Sequence, residues 1–183
     1  MKHVIVLAIL LVLIGGCSRV QEEKPIISGT QELILNEQDL QLLGMSVGTD
    51  CQTDNAYSNI VDSSTGQYTF CNYTINSLKD TEVIIQLQRF ADKEALEGSY
   101  QYDSSHLYSI EGIISEDVYG DKSRFRMNNK NDYMGELNEP GVYNYHLWIC
   151  KGLYLIHVTS GGRNKEVGDY IPKIGQKILS KFE

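Results

Sequence analysis

The chain has 183 residues, 42% hydrophobic and 22% charged, with 3 Pro against 16 Gly. That balance fits one ordinary globular domain and excludes a fibrous repeat, a wholly disordered chain and a polytopic membrane protein. Its 16 Lys+Arg against 24 Asp+Glu leave a formal charge of −8 with no basic cluster, which excludes the positive face that a nucleic-acid partner requires.

Lys2 and the free amine precede an unbroken apolar run from Val4 to Ile14. The run is shorter than the roughly 20 residues a bilayer-spanning helix needs and suits the apolar region of an export signal. It ends in Leu13-Ile14-Gly15-Gly16-Cys17. A branched apolar residue, two small residues and a cysteine resemble the lipobox of prokaryotic lipoproteins. There the small residues enter the protease cleft and the thiol accepts a diacylglyceryl group before cleavage. The resemblance implies a signal peptide over 1–16, lipidation of Cys17, and a protein held at the cell membrane facing outside the cytoplasm, with the membrane as a partner through its lipid anchor. Residues 17–31, with breakers at Pro25 and Ser28-Gly29 and no helical or strand period, read as a lipid-anchored tether. A single globular domain over 32–183 follows, long enough for a sizeable core.

Within that domain Asn36, acids in the next turn and Gly44 bracket a short helix. Gln67 to Asn76 and Thr81 to Phe90, rich in Tyr, Thr, Val and Ile, read as a strand pair. Asp92 opens a helix to about Ser105, Ser123 to Asn128 alternates as a short strand, and Asn128 to Pro140 reads as a polar, solvated loop. Val142 to Cys150 and Leu153 to Ser160 are two strands split by Lys151-Gly152, which is hairpin spacing. The last helix spans about Lys165 to Lys181, with Val167, Ile171, Ile174 and Ile178 on one face. Pro172 either falls in its first turn or kinks it. The expected class is α+β, an antiparallel sheet with helices packed on one face and a C-terminal hairpin followed by the C-terminal helix. This order, and above all Tyr154-Leu-Ile-His-Val158 running into Ile174-Gly-Gln-Lys-Ile178, resembles PsbP-like extracytoplasmic domains and archaeal lipoproteins. That resemblance implies an accessory role and assigns no catalytic residue.

The chain contains no nucleophile elbow, phosphate-binding loop, dinucleotide fingerprint, zinc-protease motif or Cys-x-x-Cys. Export implies an oxidising setting, and an odd count of Cys51, Cys71 and Cys150 remains once Cys17 is lipidated. Cys51 follows a Gly-Thr-Asp turn and Cys71 lies mid-strand, so the expected disulfide is Cys51 to Cys71, with Cys150 as a free small hydrophobe. Asn72-Tyr73-Thr74 matches an N-glycosylation acceptor. The 12 Tyr suit strands whose outer face meets water. If Lys151-Gly152 is a two-residue turn, His146 stands directly opposite His157 on the face of Trp148, Cys150 and Leu155, while Leu147, Ile149, Tyr154, Ile156 and Val158 face the C-terminal helix. Two facing imidazoles can share Zn or Cu, or sense pH by repelling once protonated. A metal would also need a third ligand, such as His106 or an acid of the Asn128 to Glu139 loop.

Two function classes follow. The first is a non-catalytic binding or accessory lipoprotein with a protein or small-molecule partner. The second is a membrane-anchored enzyme, a hydrolase assembling its catalytic groups from scattered residues. A shallow Tyr-rich face points to the first, a deep pocket with converging polar groups to the second.

Overall fold

The computed structural model describes residues 27–54, 65–137 and 139–183. The signal segment, Cys17, the tether up to residue 26 and Asn138 lie outside them. Seven antiparallel strands form one sheet: β1 Met45–Asp54, β2 Thr65–Ile75, β3 Thr81–Phe90, β4 Ile113–Glu116, β5 Lys122–Met127, β6 Tyr145–Lys151 and β7 Tyr154–Gly162, in the order β1-β2-β3-β7-β6-β5-β4. Two meanders thus meet where β3 pairs with β7. Three α-helices complete the fold: α1 Glu37–Leu43, α2 Lys93–Ser105 and α3 Tyr170–Leu179. The α+β class, the C-terminal hairpin and the C-terminal helix are as the sequence indicates.

The helices cover both faces rather than one. Strand periodicity explains how: odd positions of β3 (Val83, Ile85, Leu87) and of β6 (Leu147, Ile149), with Ile156 and Val158 of β7, pack against Ile171, Ile174 and Ile178 of α3 and Leu40 of α1. Each fully buried aliphatic side chain contributes about 1.5–3 kcal/mol. Gly175 lets α3 come close, since a Cβ there would lie 2.8 Å from Leu147 Cδ2 and 2.9 Å from Ile149 Cδ1. On the opposite face α2 buries Ala95, Leu96 and Tyr100 against Phe90, Trp148, Cys150 and Leu155. This second core is smaller, and α2 reaches only part of the face.

Local signals set the element ends. Asn36 and Asp39 form a reciprocal capping box on α1, with bonds of 2.9 and 3.1 Å. Asp92 caps α2 through the Ala95 N–H at 2.9 Å. Residues Lys165–Asp169 form a 3₁₀ turn before α3, so Pro172 falls in the first helical turn, where its missing N–H leaves no bond unmade. Within the segment read as tether, Ile27 already accepts a bond from the Tyr154 hydroxyl at 3.0 Å, and Thr30 is buried, its hydroxyl 2.8 Å from that of Thr69.

The hairpin turn is Gly152-Leu153, one residue later than the sequence suggests, and Lys151 pairs with Tyr154. Gly152 has φ 61°; the first position of a tight hairpin turn requires this left-handed conformation, which favours glycine there. The slip shifts each cross-strand partner by two residues. Because the side-chain period is also two, every side chain keeps its face.

A candidate ligand cleft on the α2 side of the sheet

His157 lies opposite Trp148, and His146 lies opposite Thr159 and Arg126. The histidines are therefore diagonal neighbours rather than direct partners, yet they meet: His146 Nδ1 is 3.1 Å from His157 Nε2. The bond pattern assigns the tautomers. His157 Nδ1 is 2.9 Å from Gln86 Oε1, which only accepts, so Nδ1 carries the proton and Nε2 accepts from His146 Nδ1–H. Trp148 stacks nearly parallel to both rings, with centroids 4.6 Å from His157 and 5.1 Å from His146. Burial holds His146 at a pKa of about 4, with the Arg126 cation a further cause. Burial and then His146 hold His157 well below the ordinary histidine range. Both imidazoles are neutral near pH 7.

The pair offers two nitrogens already bonded to each other and no third ligand beside them. His106 reaches the cleft described below, while Asp132, the buried acid of the Asn128 to Glu139 loop, is engaged elsewhere. No group of three His, Cys, Asp or Glu among the described residues is arranged to hold a metal.

Asp132 corrects the reading of that loop as wholly solvated. It binds Arg126 Nη2 at 2.7 Å, and both side chains are buried, at 4% and 0% exposure. It also accepts from the Ser109 and Asn129 N–H groups at 2.9 and 2.8 Å. Burial alone would raise its pKa; the bonds from Asn129, Arg126 and Ser109 outweigh that and hold it below the ordinary carboxylate range. The Arg126 guanidinium lies 4.1 Å from the centroid of the Tyr108 ring, so the ion pair props up the segment after α2.

That segment walls a cleft of about 340 Å³. Its floor is sheet: Tyr68 of β2, Gln86 and Gln88 of β3, Trp148 and His157. Its wall is Tyr102, Asp103, His106, Leu107 and Tyr108, from the last turn of α2 onward. Two of the floor residues, 1% and 8% exposed, each carry a buried side-chain atom without a hydrogen-bond partner, Trp148 Nε1 and Gln88 Oε1. A buried polar group left unmade costs about 1–3 kcal/mol, and such groups survive where a ligand or water completes them. The lining holds no Ser, Thr or Cys; its titratable side chains are Asp103, His106, His157 and the tyrosines Tyr68, Tyr102 and Tyr108. Cys150 is free and buried beneath α2, and burial, with Glu97 a lesser cause, pushes its thiol up to about 12. It packs as the small hydrophobe its surroundings suggested.

The remaining candidate residues lie apart from the cleft. Cys51 and Cys71 form a disulfide across β1 and β2, with Cα atoms 4.3 Å apart, at a bulge in their pairing. In the chain-entropy view its 20-residue separation adds about 3 kcal/mol. Asn72 lies in the middle of β2, half-buried, and its Nδ2 donates to Glu82. Glycosylation there would require that nitrogen to leave its partner. The Tyr-rich character extends from cleft to open sheet, where Tyr68 and Phe70 are half-buried.

No helix among the described residues is long and apolar enough to cross a membrane. No protein-family model and no curated protein sequence matches the chain. The fold is similar to that of a solved structure, the extracellular domain of PknH from Mycobacterium tuberculosis, with a TM-score of 0.52 and 9% identity over 83% of this chain and 93% of that one. At that identity the likeness is one of fold.

Proposed function

We propose that the protein is a lipid-anchored extracytoplasmic lipoprotein whose α2-side cleft binds a small molecule without transforming it. The observation that carries the binding half is the cleft itself, about 340 Å³, two of whose floor residues, Trp148 and Gln88, each carry a buried polar atom without a partner. The address rests on the lipobox ending at Cys17, and a similar fold serves as the extracellular domain of PknH.

The placement of the cleft suits this role. Ile27 is held at the end of the sheet where Gly152-Leu153 turns, and the β3–α2 junction lies at that end, because the Phe90 N–H bonds the Leu153 carbonyl at 2.9 Å. The other end of α2 leads to Tyr108, whose ring centroid is 5.5 Å from that of His146 near the start of β6. Ten residues from Cys17 to Ile27 reach at most about 35 Å, and the cleft wall lies toward the end of the sheet opposite Ile27. Exposed Ile110, Tyr133, Met134 and Leu137 on the neighbouring loops favour a second reading, docking to a protein partner.

One preparation tests both halves. Protein released from its own membranes in mild detergent is expected to show, under denaturing mass spectrometry, a chain beginning at a diacylglyceryl-modified Cys17. Under native conditions it is expected to carry an additional non-covalent small molecule. An unmodified Cys17 removes the anchor; a native mass equal to the denatured mass removes the binding role.

A further inference from the structure

We infer that the cleft takes a small organic ammonium cation, with Asp103 as its counter-charge; this rests on the reading of the cleft as a binding site. Three features of the lining carry it. No Lys or Arg lines the cleft, and Asp103 is its one acidic side chain. Asp103 takes part in none of the ion pairs among the described residues, and its bonded neighbour is the Ser99 hydroxyl. Aromatic rings, those of Tyr68, Tyr102, Tyr108 and Trp148, supply the rest of the character.

An unpaired acid among aromatic side chains is the chemistry that recognises an ammonium group. Ring faces carry negative quadrupole potential and attract a quaternary or primary ammonium within about 6 Å, more strongly when water is excluded. Burial pushes the Asp103 carboxyl pKa up, which marks a carboxylate short of counter-charge, and an ammonium group would provide one. An anion would meet Asp103 with nothing to balance it. A neutral sugar would leave the carboxylate as it is.

Trp148 is the one tryptophan of the chain, so its emission reports the cleft alone. The experiment titrates the full chain with choline and with 3,3-dimethyl-1-butanol, its uncharged carbon isostere, in wild type and in Asp103→Asn. Asparagine removes a buried charge at a site whose burial already disfavours that charge, so the variant is expected to fold. The expected result is a saturable emission change with choline, binding of the isostere at least about tenfold weaker, and a loss of about tenfold or more in Asp103→Asn. Equal binding of the isostere, or an unchanged Asp103→Asn, would overturn the cation and leave the cleft as a site for a neutral ligand. Silence toward both probes also overturns the cation, whereas the native mass decides on its own whether the cleft holds anything.

Discussion

Replacing Asp132 with alanine is expected to destabilise the protein by about 3–5 kcal/mol, because it strands a fully buried guanidinium. Arg126 already has Nε and Nη1 without partners, so Asp132 supplies the balancing charge for a group with no access to water. The same substitution removes the acceptor of the Ser109 and Asn129 N–H groups, which ties the segment after α2 to the loop after β5. Arg126 supports Tyr108 from beneath, so the cleft wall loosens along with the fold. Chemical denaturation measures the loss. A companion variant, Arg126→Met with Asp132→Leu, is expected to recover much of the stability, because it removes both charges instead of orphaning one. An Asp132→Ala protein within about 1 kcal/mol of wild type would mean that the guanidinium finds other compensation.

Acid is expected to weaken the fold as the pH falls from about 6.5 toward 4. An unfolded chain protonates each histidine near pH 6.5, whereas the folded chain holds His146 neutral down to about 4 and His157 well below its ordinary value. Between those limits the unfolded state binds more protons. Stability present above about pH 6.5 is therefore lost as the pH falls toward 4, by up to about 1.4 kcal/mol per pH unit for each histidine. The chemistry is local: a proton added to either imidazole places a cation beside Trp148 and removes the acceptor role of His157 Nε2 or the lone pair of His146 Nε2. Denaturation midpoints across this window are expected to fall steeply in wild type and much less in a His146→Gln, His157→Gln double variant. Parallel slopes in the two proteins would contradict the assignment of neutral, buried imidazoles.

Much of the architecture is legible in the sequence because its signals are local. Strand β3 runs from Thr81 to Phe90 as its residues suggest, and Asn36 and Asp92 cap the helices they precede. The edge strands escape such reading. β1 exposes Ser46, Gly48, Thr49 and Asp50 and carries two irregularities against β2, so it has no clean alternation, and β4 is four residues long. The second helical layer escapes because α2 buries small and polar residues, Ala95, Ser99 and Ser104, along with Leu96 and Tyr100.

The site divides in the same way. Placing His146, Trp148 and His157 on one face needs only the period of two and the hairpin, so the face survived a turn placed one residue early. The diagonal contact depended on Gly152 taking the first turn position. The Arg126–Asp132 pair joins a strand to a loop rich in Asn and Glu, and nothing in that composition separates the one buried acid from its solvated neighbours. Arg126 carried the available signal: it shares a strand face with Arg124 and lies opposite His146, a position too enclosed for an unpaired charge. The cleft itself arises from residues that packing alone brings together, the α2 terminus over β3, β6 and β7.

The central claim, that the α2-side cleft is a binding site, is tested most directly by the indole N–H of Trp148, a floor residue whose buried donor is without a partner. With one tryptophan in the chain, the nitrogen–proton correlation spectrum contains one indole side-chain signal. The spectrum is recorded before and after the small molecule carried by the membrane-released protein is removed by dialysis. The account predicts that this signal moves upfield on removal and returns on adding the molecule back, as Nε1 loses and regains an acceptor. An indole signal that stays in place while the native mass shows the molecule leaving would contradict it, since the ligand would then bind elsewhere.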